Sequence, residues 1–91
     1  MVELDWEDLL IEAMKSKTRV RILKYIINAG GANISRISRE LGISYTSAER
    51  NLEALSKAGI LEEVKLGRVR VYKMGEGESI IKLIKCLTGR D

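Results

Sequence analysis

The 91-residue chain has no histidine, proline or phenylalanine, and its one cysteine is Cys86. Sites for zinc and softer metals are built from thiolate and imidazole ligands, so a four-coordinate site of that kind within one subunit lacks its donors. Catalysis needs convergent groups, such as a nucleophile beside a base, paired carboxylates or a metal centre, and none is visible. The acidic residues Asp5, Glu7, Asp8 and Glu12 come without the glycine-bearing loop that wraps carboxylates around calcium. The sequence therefore predicts a protein that is not an enzyme and uses no metal or cofactor. No apolar run approaches the length that spans a bilayer, and the first residues are acidic where a secretory signal would be basic, which predicts a cytoplasmic protein. The lack of Pro, Phe, His and Gln beside abundant Ile, Lys, Glu and Arg suits a thermophile.

What is present argues for one small folded domain. A hydrophobic content of 45% is too high for general disorder. A chain of this size buries roughly 60 to 65% of its unfolded surface, so dimerisation is an expected source of stability. The net charge is only +3, but its signs are segregated. Glu3, Asp5, Glu7, Asp8 and Glu12 are followed directly by Lys15, Lys17, Arg19, Arg21 and Lys24, and a later segment adds Lys65, Arg68, Arg70 and Lys73. That order predicts a basic face and an acidic back, suited to orienting on a polyanion, with plain solvation as the alternative for the first basic run.

The most informative stretch runs from Asn33 to Ile60. Asn33 is placed to cap a helix whose Ile34, Ile37 and Leu41 recur on one face. Gly42 should stop that helix by taking the left-handed conformation, with Ile43 folding back onto the preceding turn. Ser44 then caps a second helix, along which Ala48, Leu52 and Leu55 form an inward stripe and small Ala48 admits a close helix crossing. Gly59 ends it. Two short helices joined by a turn of this length read as a helix-turn-helix.

With that stripe inward, Thr46 and Arg50 point outward, and Tyr45 and Ser47 flank them at the exposed N-terminal end. In helix-turn-helix proteins this part of the second helix meets base edges in the major groove of duplex DNA. Arginine bonds guanine bidentately, hydroxyls serve bases or phosphates, and the Tyr45 ring suits a thymine methyl or a phosphate. Glu49 is either an acceptor for a cytosine amino group or a solvated carboxylate. Arg36 and Arg39 lie where the first helix of the pair would cross the DNA backbone. The competing reading of the whole stripe is an ordinary polar surface, since helical hairpins occur without nucleic acid.

Ile60 to Met74, ILEEVKLGRVRVYKM, alternates in β-rich runs around Gly67 and predicts a hairpin. A turn at Gly67 and Arg68 sets Leu66 opposite Val69, Val64 opposite Val71, Glu62 opposite Lys73 and Leu61 opposite Met74. It also sets Lys65 opposite Arg70, and like charges so placed are destabilising unless an anion lies between or beside them. The hairpin is then expected to present Lys65, Arg68 and Arg70 together to a phosphate backbone or minor groove. The alternative is a basic edge that discourages strand aggregation.

Two further amphipathic helices flank this unit. One follows an Asp5 cap with Trp6, Leu9, Leu10, Ala13 and Met14, and the other carries Ile80, Leu83, Ile84 and Leu87. Gly75 and Gly77 should let the second swing away from its own domain. Trp6, Leu9, Leu10, Ala13, Ile80, Leu83, Ile84 and Leu87 are accordingly expected at a homodimer interface, against the alternative that both helices cover their own core. Cys86 reads as a buried, inert thiol, with an intersubunit disulfide as the minor reading. The helix after Thr18 is expected to bury Val20, Leu23, Ile26 and Ile27, and Tyr72 to be a half-buried strand aromatic.

From Thr18 to Met74 the run TRVRILKYIINAGGANISRISRELGISYTSAERNLEALSKAGILEEVKLGRVRVYKM resembles the winged-helix DNA-binding domain of ArsR-like and related bacterial and archaeal transcription regulators. The resemblance is carried by the TRVRIL opening, the LGIS turn, the helix ending in LSKAGIL and the GRVRVYK wing. It implies an α+β, mainly α, fold: a winged helix-turn-helix with a two-stranded hairpin wing, extended by N- and C-terminal helices. The expected organisation is an N-terminal helix over 1–16, a DNA-binding domain over 17–74 and a dimerising helix over 75–91. It also implies that Ser44 to Arg50 enter the major groove and that the molecule works as a homodimer on a partly symmetric operator. Metal-sensing relatives carry cysteine and histidine clusters that this chain lacks, and no effector is legible. Two other functions use the same fold: a protein-interaction module of transcription or replication machinery, and nonspecific architectural DNA binding.

Overall fold

Helix ends along this chain are set by short polar side chains that accept from the free N–H groups of the first turn. A computed structural model describes residues 5–89; Glu3 of the acidic run lies outside them. Asp5 accepts from the Asp8 amide at 3.0 Å and starts α1 (Trp6–Ala13), with Glu7 and Asp8 beside the positive end of the helix dipole. Ser16 caps α2 (Lys17–Ala29) through the Arg19 amide, Asn33 caps α3 (Ile34–Leu41) through Arg36, and Ser44 caps α4 (Tyr45–Lys57) through Ser47. Strands β2 (Leu61–Leu66) and β3 (Val69–Met74) form the hairpin, and α5 (Glu78–Thr88) closes the described chain.

The hairpin register matches the alternation of its residues: Leu66 faces Val69, Val64 faces Val71, Lys65 faces Arg70 and Leu61 faces Met74. The two strands form the expected hairpin wing, and the sheet they belong to has a third antiparallel strand. A two-residue strand β1 (Ala32–Asn33) pairs with the far edge of β3, with Ala32 opposite Tyr72 and Asn33 opposite Val71. The third strand changes the fate of Tyr72. Flanked on both sides, it is fully buried and not half-buried, and among the described residues its hydroxyl has no hydrogen-bond partner.

One core unites the helices and the sheet. The α4 stripe Ala48, Leu52 and Leu55 is wholly inside, together with Ile37 of α3 and Ile60 and Leu61 at the start of the hairpin. Removing a side chain such as Leu52 from this packing costs about 2 to 5 kcal/mol. On α2 the buried residues are Ile22, Leu23 and Ile26, while the expected Val20 and Ile27 are half-buried. Because α2 packs on β3, α3, α5 and α1 at once, its covered face is wider and turned from the stripe that periodicity alone suggests.

The flanking helices correct a second expectation. α5 packs on α1 and on α2, so Leu9, Ala13, Ile80 and Leu83 lie in the chain's own core, with Leu10, Ile84 and Leu87 packed against it and Trp6 half-buried. The residues left outward are Ile11 (65% exposed), Met14 (59%) and Ile81 (53%). Gly75 is no free hinge either. Its amide donates to the Ile60 carbonyl at 2.8 Å, and a Cβ there would stand 3.0 Å from the Gly59 carbonyl oxygen, so the close approach of two backbones favours glycine. Cys86 is exposed on α5, not buried. No described helix is long and apolar enough to cross a membrane.

Candidate nucleic-acid interface

The turn between α3 and α4 is held from both sides by Ser38. Gly42, at φ 66°, takes the left-handed region and donates back to the Ser38 carbonyl, which also receives the Ile43 amide at 3.1 Å. The Ser38 hydroxyl in turn donates to the Ile43 carbonyl at 2.6 Å. Arg21 of α2 donates to the Leu41 carbonyl at 3.0 Å, satisfying an otherwise free acceptor at the end of α3. These bonds fix the angle at which α4 leaves α3, and neither Ser38 nor Arg21 stood out in the sequence. A hydroxyl four residues before a helix-stopping glycine was the available signal.

On α4, Tyr45, Thr46 and Arg50 are exposed and Ser47 is half-buried. Ser44 is exposed too; its oxygen accepts from the Ser47 amide, which leaves its hydroxyl proton free to donate. Ser47 is held from the next turn, because Asn51 donates to its carbonyl at 2.8 Å. Arg36 and Arg39 are both exposed on α3, and the Arg36 guanidinium lies over the Tyr25 ring, 5.6 Å from its centroid.

The hairpin stands beside the N-terminal half of α4. Its strands alternate between a face holding buried Leu61 and Tyr72, which also carries Lys65 and Arg70, and an opposite face of Val64, Leu66, Val69 and Val71. At the tip Gly67 adopts φ 65°, and Arg68, Lys65, Leu66 and Val69 are exposed. Arg70 behaves differently from its expected role as a free wing cation. Its Nη2 donates to Oε2 of Glu49 on α4 at 2.6 Å. The hydrogen-bonded Glu49 carboxylate raises the guanidinium above its ordinary value. The anion that a Lys65–Arg70 pair demands is therefore supplied from within the chain. Glu49 correspondingly is a half-buried partner of Arg70 and not a free carboxylate.

The charge runs near the N-terminus also meet each other. Glu12 bonds Lys15 at 2.8 Å and Arg19 at 3.2 Å, and Lys15 first, then Arg19, holds its carboxyl below the usual carboxylate value. The two runs thus partly neutralise one another across the α1–α2 turn. No group of three or more potential metal ligands occurs among the described residues.

A helix pair with an exposed polar N-terminal turn, flanked by a basic hairpin, defines the winged helix-turn-helix class. A family model described as a helix-turn-helix domain matches residues 14–64, more than half of the chain, and the protein belongs to that family. Among solved structures the fold is that of ArsR-type transcriptional regulators. The AntR antimony-specific transcriptional repressor superposes with a TM-score of 0.78 at 18% identity, over 90% of this chain and 70% of that one. A homodimeric winged helix-turn-helix DNA-binding domain from Mycobacterium bovis, a possible ArsR-family regulator, gives 0.77 at 22% identity, over 98% of this chain and 88% of that one. HlyU from Vibrio cholerae gives 0.75 at 18% identity, over 93% and 94%. AntR is described as a transcriptional repressor, HlyU from Vibrio vulnificus as a transcriptional regulator and the M. bovis domain as a possible one. A comparison with curated proteins found no match.

Proposed function

We propose that the protein is a sequence-specific transcription regulator that binds double-stranded DNA as a homodimer. The observation that carries this reading is the placement of exposed Tyr45, Thr46 and Arg50 on the first turns of α4, which Glu49 ties to Arg70 of a hairpin whose exposed tip carries Lys65 and Arg68. With α4 in the major groove, Arg50 bonds a guanine edge, Tyr45, Thr46 and Ser47 meet neighbouring base edges, and Ser44 donates to phosphate. Arg36 and Arg39 approach the backbone from α3. The wing follows the adjacent minor groove, with Arg68 against the phosphates that border it and exposed Leu66 and Val69 against the sugars.

The second copy docks through α1 and α5. The exposed apolar side chains Ile11 and Ile81 lie on these two helices, which pack side by side, with exposed Met14 at the C-terminal cap of α1, and the homodimeric M. bovis domain of the same fold supports a dimer. Such a dimer sets two recognition helices about one DNA turn, roughly 34 Å, apart. Titration of a duplex pool with the purified protein at low salt tests the reading: binding that falls steeply with salt is expected, and no binding overturns it. A protein-interaction module predicts the latter outcome.

A further inference from the structure

Among the described residues, one ion pair joins the hairpin to α4, and it links residues 21 positions apart in the chain: Arg70 and Glu49. Both side chains are about two-thirds covered, at 28% and 35% exposure, with their charged atoms 2.6 Å apart. The other ion pair of the hairpin, Lys73 with Glu62, spans 4.0 Å between adjacent strands at 43% and 50% exposure, and it fixes nothing outside the hairpin. Exposed pairs of that second kind contribute little, because both side chains lose freedom for a contact that water screens. A covered pair with a hydrogen bond of this length is geometrically specific.

Its position matters as much as its geometry. Beyond Tyr72 the hairpin has no buried side chain: Val64 and Val71 are half-buried, and Lys65, Leu66, Arg68 and Val69 are exposed. Nothing apolar holds the tip at a set distance from α4.

We propose that Arg70 and Glu49 are positioning residues, an ionic strut that locks the wing to the recognition helix and withdraws both charges from DNA. The phosphate-neutralising charge of the wing is then Lys65 and Arg68 alone. Glu49, although it sits next to Arg50 on the base-reading helix, reads no cytosine. The strut fixes the spacing between major-groove and minor-groove contacts before DNA arrives, so less order has to be created on binding.

The functional part rests on the DNA-binding reading, whereas the strut itself can be tested on the free protein. The experiment uses the full chain as wild type, Glu49→Gln, Arg70→Gln and the double variant. In free protein, amide exchange and nitrogen relaxation at Arg68 and Val69 should quicken in all three variants to a similar degree; unchanged tip dynamics overturns the strut. On one duplex across a salt series, Arg70→Gln should weaken binding roughly tenfold in the wild-type background and little once Glu49 is glutamine. The slope of log affinity against log salt should stay at its wild-type value. A slope reduced by about 0.9 in Arg70→Gln makes Arg70 a phosphate contact and overturns the proposal, as does an equal loss in both backgrounds. If the wild type binds no duplex, the DNA reading falls, and the dynamics of the free tip still decide the strut.

Discussion

Arg19 joins three helices through one guanidinium: its Nε donates to Oδ1 of Asn51 on α4 at 3.4 Å, while Nη1 donates to the Glu12 carbonyl at the end of α1 at 3.0 Å. Asn51 passes the constraint on by holding the Ser47 carbonyl, one turn nearer the proposed DNA-reading end. The first turns of α4 are thus tied to the helix pair behind them.

Asn51→Ala removes the bonds of that side chain to Arg19 and Ser47 and should cost about 1 kcal/mol of stability. In a domain of this size that lowers the melting temperature by about 4 to 8 °C. Thermal unfolding followed by circular dichroism checks it, and an unchanged melting temperature would show that the bridge contributes nothing.

Tyr72 makes stability depend on alkaline pH. Burial pushes its phenol above the usual tyrosine range, so the folded chain keeps the proton that the unfolded chain releases near about pH 10. The contribution is complete below that pH and is lost as pH rises through the raised folded value. Tyr72→Phe also removes a hydroxyl that has no partner among the described residues. Urea midpoints at about pH 8 and about pH 11 should fall more for wild type than for Tyr72→Phe; equal falls would contradict the assignment.

Arg68, exposed at the wing tip, should act on phosphate and not on sequence. Arg68→Ala is expected to weaken all duplexes alike and to reduce the salt slope by about 1. Anisotropy titrations of two unrelated duplexes across a salt series measure both, and a loss confined to one duplex would make Arg68 a base reader.

For the dimer, light scattering at micromolar concentration should give the mass of two chains. Ile81→Asp should produce folded monomers whose melting temperature is lower than that of the wild type and independent of concentration, because Ile81 is exposed in the single chain, whereas Leu83→Asp should unfold it, because Leu83 is fully buried. A monomeric wild type contradicts the α1–α5 interface.

What could be read in advance was local. Asn33, Ser44 and Asp5 cap helices through bonds spanning three residues, and the hairpin register follows from Gly67 and the alternation around it. What could not be read depended on groups brought together by the fold. Arg70 looked like a wing cation because its carboxylate partner comes from another element. Tyr72 looked half-buried because a two-residue strand carries too little pattern to announce itself beside it. Leu9 and Leu83 looked available to a partner because amphipathic spacing marks an apolar face without saying whether the same chain covers it.

The central claim is that the first turns of α4 read bases, and selection from a pool of random duplexes tests it most directly, run in parallel for wild type and Arg50→Ala. The wild type should enrich a partly symmetric sequence with half-sites about one helical turn apart. Arg50→Ala should bind that sequence weaker by about 1 to 3 kcal/mol and lose its preference at one guanine in each half-site. No enriched sequence, or an Arg50→Ala selection identical to wild type, would contradict it.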